Sequence, residues 1–140
     1  MSTGVARSLA TEMTTVGDVM TRNLLTVEQE TTLIEAAAAM TGRQVGAVLV
    51  VSGGRLTGIL TERDVLRAVG SGDVGGTVAE WMTRGPETVD ADETTQQAGV
   101  VMIHGGFRHL PVLEGGAPVG IVSIRDLMRV VLDDVSPRGV

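Results

Sequence analysis

Gly58-Ile59-Leu60-Thr61-Glu62-Arg63-Asp64 and Gly120-Ile121-Val122-Ser123-Ile124-Arg125-Asp126 decide how this chain is to be read. In each, an aliphatic run ends in a hydroxyl residue and an aspartate follows three positions later. A strand that feeds straight into a helix has this form, with Thr61 or Ser123 capping the helix and Asp64 or Asp126 reaching back from its first turn. A carboxylate placed among the free N–H groups of a helix start, beside a hydroxyl, also suits the two hydroxyls of a ribose, with a neighbouring cation for phosphate. Spacing does not choose between the cap and the ligand site, and one residue can serve as both.

The two stretches are part of a longer internal repeat. An offset of 62 positions carries Val16 onto Val78 and continues without a gap to Val69 on Val131. Met20-Thr21-Arg22 falls on Met82-Thr83-Arg84, Thr26-Val27 on Thr88-Val89, Met40 on Met102, and Gly53-Gly54 on Gly115-Gly116. The boundaries expected are a flexible tail over 1–14, a first repeat over 15–70, a glycine-rich linker over 71–76, a second repeat over 77–132 and a tail over 133–140.

Within each copy the hydrophobic period changes in a fixed order. Leu24 to Val27 and Pro86 to Val89 read as short strands. Helices are expected over Thr31 to Arg43, with Leu33, Ile34, Ala37 and Met40 inward, and over Thr94 to His104, with Ala98, Val101 and Met102 inward. Ala47 to Val51 and Leu56 to Leu60 flank Ser52-Gly53-Gly54-Arg55, a tight hairpin signal. Thr61 to Val69 is helical again, with Val65, Leu66, Ala68 and Val69 as its buried stripe. Each copy is thus β-α-β-β-α, preceded by a helical turn at Val16 to Met20 or Val78 to Met82. The class is α+β, and a unit of this size is marginal alone, so the copies are expected to pack sheet to sheet.

Composition narrows the chemistry. The 140 residues include no cysteine, one tryptophan (Trp81) and one phenylalanine (Phe107), which excludes disulfides, thiolate chemistry and aromatic platforms for bases. A net charge of −6 without any basic run argues against nucleic acid. No membrane span or signal peptide is legible, so a soluble, cytoplasmic protein is expected. Of the two histidines, His104 sits where a helix end favours a cation, and no nucleophile, zinc or phosphate-loop motif accompanies either. No enzyme is expected.

The β-α-β-β-α copies, the Met-Thr openings, Phe107-Arg108-His109-Leu110-Pro111-Val112 and the Gly-Ile-x-Thr/Ser-x-x-Asp stretches together resemble a tandem pair of cystathionine-β-synthase (CBS) domains, the Bateman module, over about Thr15 to Leu132. The resemblance implies two repeats packed as a pseudo-two-fold pair, a stand-alone regulatory module with two clefts for adenosine-containing ligands such as AMP, ADP, ATP or S-adenosylmethionine. No cofactor is required, and Mg enters only with ATP. Carried onto this sequence, one cleft uses Thr61 and Asp64 for ribose, Arg108, His109 and Arg125 for phosphate, and the segment at Thr26 for adenine. The other uses Ser123, Asp126 and Arg63, with adenine near Pro86 and Thr88. Gly46 and Ala47 stand where the second copy has Arg108 and His109, so a phosphorylated ligand is expected to prefer the first cleft. A homodimer through the helices and an unknown regulated protein are the implied partners. The competing reading is a structural dimerisation protein with vestigial pockets.

Overall fold

The computed structural model describes residues 14–22 and 24–135, with the side chains of Asp134 and Val135 left aside. Of the tails expected over 1–14 and 133–140, residues 1–13 and 136–140 lie outside the described residues. In chain order the elements are α1 (Val16–Val19), β1 (Thr26–Val27), α2 (Leu33–Arg43), β2 (Ala47–Ser52), β3 (Arg55–Thr61), α3 (Glu62–Ser71), α4 (Val78–Trp81) and β4 (Thr83–Arg84). They continue with β5 (Val89–Asp90), α5 (Thr95–Gly105), β6 (His109–Glu114), β7 (Ala117–Ser123) and α6 (Ile124–Val135). The expected β-α-β-β-α order is present in both copies.

The repeat holds to the level of strand register. β1 runs parallel to β2 with Val27 beside Val50, and β5 runs parallel to β6 with Val89 beside Val112. The β2–β3 hairpin pairs Ala47 with Thr61 and slips between Val50 and Val51, while the β6–β7 hairpin pairs His109 with Ser123 and slips between Val112 and Leu113. Both hairpins turn on two glycines with positive φ, 58° and 78° at Gly53-Gly54 and 58° and 83° at Gly115-Gly116, a geometry that matches strand twist and excludes most side chains.

The compact units do not coincide with the sequence copies. One unit spans residues 23–86, and the other joins the chain before residue 23 to the chain from Glu87 onward. Each copy therefore gives its opening turn to the other copy's unit. β4, from the start of the second copy, pairs with β3 through Ile59 and Thr83, and Thr21, from the start of the first, bridges Ile121 in β7. The backbone N–H of Val78 donates to Thr31 O at 2.8 Å, and that of Val16 donates to Glu93 O at 2.8 Å. The cores follow the same division. Leu33, Ala36, Met40, Val48, Val50, Leu60 and Ala68 pack with Val78 and Met82. Val89, Ala98, Met102, Leu110, Val112, Val122 and Leu127 pack with Val16 and Met20.

Several sequence expectations need correction. The first strand of each copy is only two residues long, Thr26–Val27 and Val89–Asp90, although Leu25 O still accepts the Leu49 N–H at 3.1 Å. Gly70 and Ser71 belong to α3, which ends on Gly72 in the left-handed region at φ 81°, so the connection starts later than its glycines suggest. Ile34, Leu66 and Val69 are exposed rather than inward. α2 buries Leu33, Ala36 and Met40, and α3 buries Asp64 and Ala68, so the face set inward is rotated from the one hydrophobicity suggested. Finally, α6 carries Asp133 on to Val135 as helix rather than tail.

Candidate functional site

In both units the second strand of the hairpin ends on a hydroxyl residue at a helix N-terminus, and the aspartate three residues on is buried: Asp64 is 6% exposed and Asp126 8%. In the first, the N–H of Thr61 donates to Asp64 Oδ2 at 2.8 Å and its hydroxyl to the same oxygen at 3.1 Å. In the second, the N–H and hydroxyl of Ser123 reach Asp126 Oδ2 at 2.8 and 2.9 Å, and the N–H of Asp126 donates back to Ser123 Oγ at 3.2 Å. The capping-box reading is therefore realised in both copies. It employs one carboxylate oxygen, Oδ2, and leaves the other to its surroundings.

Those surroundings hold residues that sequence reasoning did not single out. Arg67 Nη2 donates to Asp64 Oδ1 at 2.8 Å, and Arg129 Nη1 stands 3.6 Å from Asp126 Oδ1. The guanidinium of Arg67 also lies over the ring of Trp81, 5.7 Å from its centroid, and Nη2 reaches Trp81 O at 3.4 Å. Their signal was present in the repeat, since both arginines occur three residues past the aspartate. Trp81 has Val19 at the matching place in the other copy, and among the described residues Arg67 alone of the two arginines lies over a ring.

The structure brings some expected site residues together within a unit. Arg108, exposed, accepts the Ile124 N–H on its carbonyl at 2.9 Å, and His109 is the cross-strand partner of Ser123. Arg108 and His109 thus adjoin the Ser123–Asp126 box, as Gly46 and Ala47 adjoin Thr61: the Glu62 N–H donates to Gly46 O at 3.0 Å and Ala47 pairs with Thr61. Thr26 is exposed on β1 beside Leu49, Arg63 and Arg125 are exposed in the first turns of their helices, and Pro86 and Thr88 lie on the approach to β5. Thr26, Thr61, Arg63, Asp64 and Pro86 belong to one unit; Thr88, Arg108, His109, Ser123, Arg125 and Asp126 belong to the other.

Arg22 and Arg84, the last residues of the Met-Thr-Arg openings, turn back on their own short helices and donate to Gly17 O and Ala79 O, each at 3.3 Å. Among the described residues no group of His, Cys, Asp or Glu side chains is arranged to hold a metal ion, and no helix is long and apolar enough to cross a membrane.

Comparison with known proteins agrees with this geometry. The CBS domain profile matches residues 16–71 and 78–133. The CBS domain-containing protein YhcV of Bacillus subtilis is 37% identical over 82% of this chain and 84% of its own. The CBS domain pair of protein MJ0100, solved in complex with 5′-methylthioadenosine and S-adenosyl-L-methionine, is 27% identical, with a TM-score of 0.79 over 84% of this chain and 98% of that one. CBSX2, solved in complex with AMP, is 26% identical, with a TM-score of 0.72 over 86% of this chain and 97% of that one. In longer CBS domain-containing proteins of Arabidopsis thaliana the match spans 23% or 21% of their length. Two profile matches in register with the internal repeat, and a relative alike over most of its length, show that the chain belongs to the CBS domain family and carries two copies of the domain in tandem.

Proposed function

We propose that the chain is a non-catalytic regulatory module that responds to an adenosine-containing ligand, with ribose held by Asp64 and Thr61 in one site and by Asp126 and Ser123 in the other. The observation that carries this reading is the duplicated, buried carboxylate at a helix start, capped through Oδ2 and with Oδ1 turned to an arginine three residues on. The ligands in the MJ0100 and CBSX2 structures share an adenosine moiety, which supports the same chemistry here. The resemblance assigns Thr26, Arg108, His109 and Arg125 to the first site and Arg63, Pro86 and Thr88 to the second. Mg accompanies ATP only, and the setting proposed is cytoplasmic. Calorimetric titration with AMP, ADP, ATP, S-adenosylmethionine and NAD is the test. Saturable binding of at least one, without turnover, is expected. A ligand at a hundred times its dissociation constant then stabilises the fold by about 2.7 kcal/mol. Absence of binding by all five at millimolar concentration overturns the reading.

A homodimer joined through helices is part of the proposal. It is supported by the apolar residues that the helices leave uncovered, Leu66 and Val69 on α3, Ile103 on α5, and Met128 and Leu132 on α6. Light scattering at tens of micromolar is expected to give twice the chain mass, and a single-chain mass counts against the dimer.

A further inference from the structure

The two carboxylates proposed to hold ribose are not equally available. A carboxylate has about four acceptor positions, two on each oxygen. Asp64 accepts three hydrogen bonds, two on Oδ2 from Thr61 and one on Oδ1 from Arg67 at 2.8 Å. Among the described residues Asp126 accepts two, both from Ser123; its Arg129 neighbour, at 3.6 Å, is an ion pair beyond hydrogen-bond length. A vicinal diol brings two donors. Asp126 has room for both, and Asp64 has room for one unless Arg67 withdraws.

Arg67 has its own reason to stay. Its guanidinium lies over the Trp81 indole, and that ring is half-buried against the hydrophobic core of its unit. The indole Nε1 is buried and hydrogen-bonds to nothing among the described residues, so no polar tie competes with the ring's place under the arginine. Arg129 finds Val19 at the corresponding position and has no such platform. Trp81 is delivered by the exchanged opening turn of the second copy, so the support for Arg67 comes from outside its own repeat.

We propose that Arg67, seated on Trp81, is a latch on Asp64 that a ribose must displace, so that a phosphate-free nucleoside occupies the Asp126 site first and the Asp64 site more weakly. The proposal rests on the reading that ribose binds these carboxylates. Arg67 and Trp81 are positioning residues under it, and the latch sets the order in which two otherwise equivalent sites fill.

Adenosine is the probe, because it carries ribose without phosphate. In an Asp126→Asn protein, whose amide oxygen still caps the helix, only the Asp64 site remains. There Arg67→Met, which keeps the apolar stem over Trp81, is expected to tighten adenosine binding about threefold to tenfold by calorimetry, as release from one partly exposed, ring-supported ion pair allows. Trp81→Leu is expected to act in the same direction. In the mirror experiment, Arg129→Met in an Asp64→Asn protein shifts affinity less than about twofold. Trp81, the only tryptophan, supplies a second readout that a purely structural role would not move. Adenosine changes its emission in the Asp126→Asn protein, and the change disappears with Arg67→Met. Unchanged or weaker adenosine binding after Arg67→Met overturns the latch alone, provided that binding vanishes in the Asp64→Asn, Asp126→Asn double variant. Binding that survives the double variant overturns the ribose reading, and the latch with it, as does failure of adenosine to bind the unaltered protein.

Discussion

Asp64 carries two duties on two oxygens, and substitution separates them. Asp64→Ala removes the acceptor for the Thr61 N–H and hydroxyl in a part-buried place and is expected to cost about 1–3 kcal/mol, read from the urea midpoint at unchanged slope. Asp64→Asn is expected to retain most of that stability and lose ligand affinity, which separates the cap from the site. Arg108→Ala is predicted to weaken AMP about tenfold to a hundredfold and to leave adenosine unaffected, since a charge-assisted bond to phosphate is worth roughly 1.5–3 kcal/mol; equal losses for both by calorimetry would assign Arg108 another role. The box itself was legible, because a hydroxyl residue and an aspartate three apart after an aliphatic run have few other uses. The arginine was not. Arg67 acquires its meaning from Trp81, 14 residues further on, and that partnership is a matter of tertiary position.

The helices show where hydrophobic spacing gives out. Leu66 and Val69 are as apolar as any core residue, yet α3 is oriented by Asp64 and Ala68, which leaves both on the opposite arc. A short helix with apolar residues on two sides does not reveal which side the sheet takes. Leu66→Lys is accordingly expected to change single-chain stability by less than about 0.5 kcal/mol while lowering the mass seen by light scattering. The hairpins were read closely because two positive-φ glycines fix the turn and the turn fixes the register. Gly58 and Gly120 were not recognised as contacts. A Cβ at Gly58 would stand 2.8 Å from Thr83 O and 2.7 Å from Met82 Sδ, and one at Gly120 would stand 2.8 Å from both Thr21 O and Met20 Sδ. The carbonyls cannot yield as a flexible side chain would, so Gly58→Ala and Gly120→Ala are each predicted to cost about 1–3 kcal/mol by denaturant titration. At the start of α2, Glu35 accepts from the Thr32 N–H and hydroxyl, which lowers its pKa from the ordinary glutamate value. The cap is then fully effective above the ordinary glutamate pKa and is lost as pH falls through the lowered one. A carboxyl NMR titration midpoint below that of a free glutamate is expected.

The exchange of opening turns makes the whole molecule less separable than its repeat suggests. The repeat was legible because its offset never slips, but the offset is identical whether an opening turn packs on its own copy or on the other. Only the pairing of Thr83 with Ile59 and of Thr21 with Ile121 decides it. Removal of residues 1–22 is predicted to strip Val16 and Met20 from the core beneath β6 and β7 and to leave the core beneath β2 and β3 complete. Hydrogen exchange should then show protection lost over 109–123 and kept over 47–61; equal loss in both hairpins would contradict the division. The same topology sets a timetable during synthesis. Everything that the unit of residues 23–86 requires leaves the ribosome in one uninterrupted stretch, whereas Thr21 must wait about a hundred residues for Ile121. At roughly 5–20 residues per second that is a delay of about 5–20 s, during which the apolar Val16 and Met20 travel ahead of the strands that will cover them. The opening turn is therefore among the last pieces of its unit to find its partners, although it is made about a hundred residues before them.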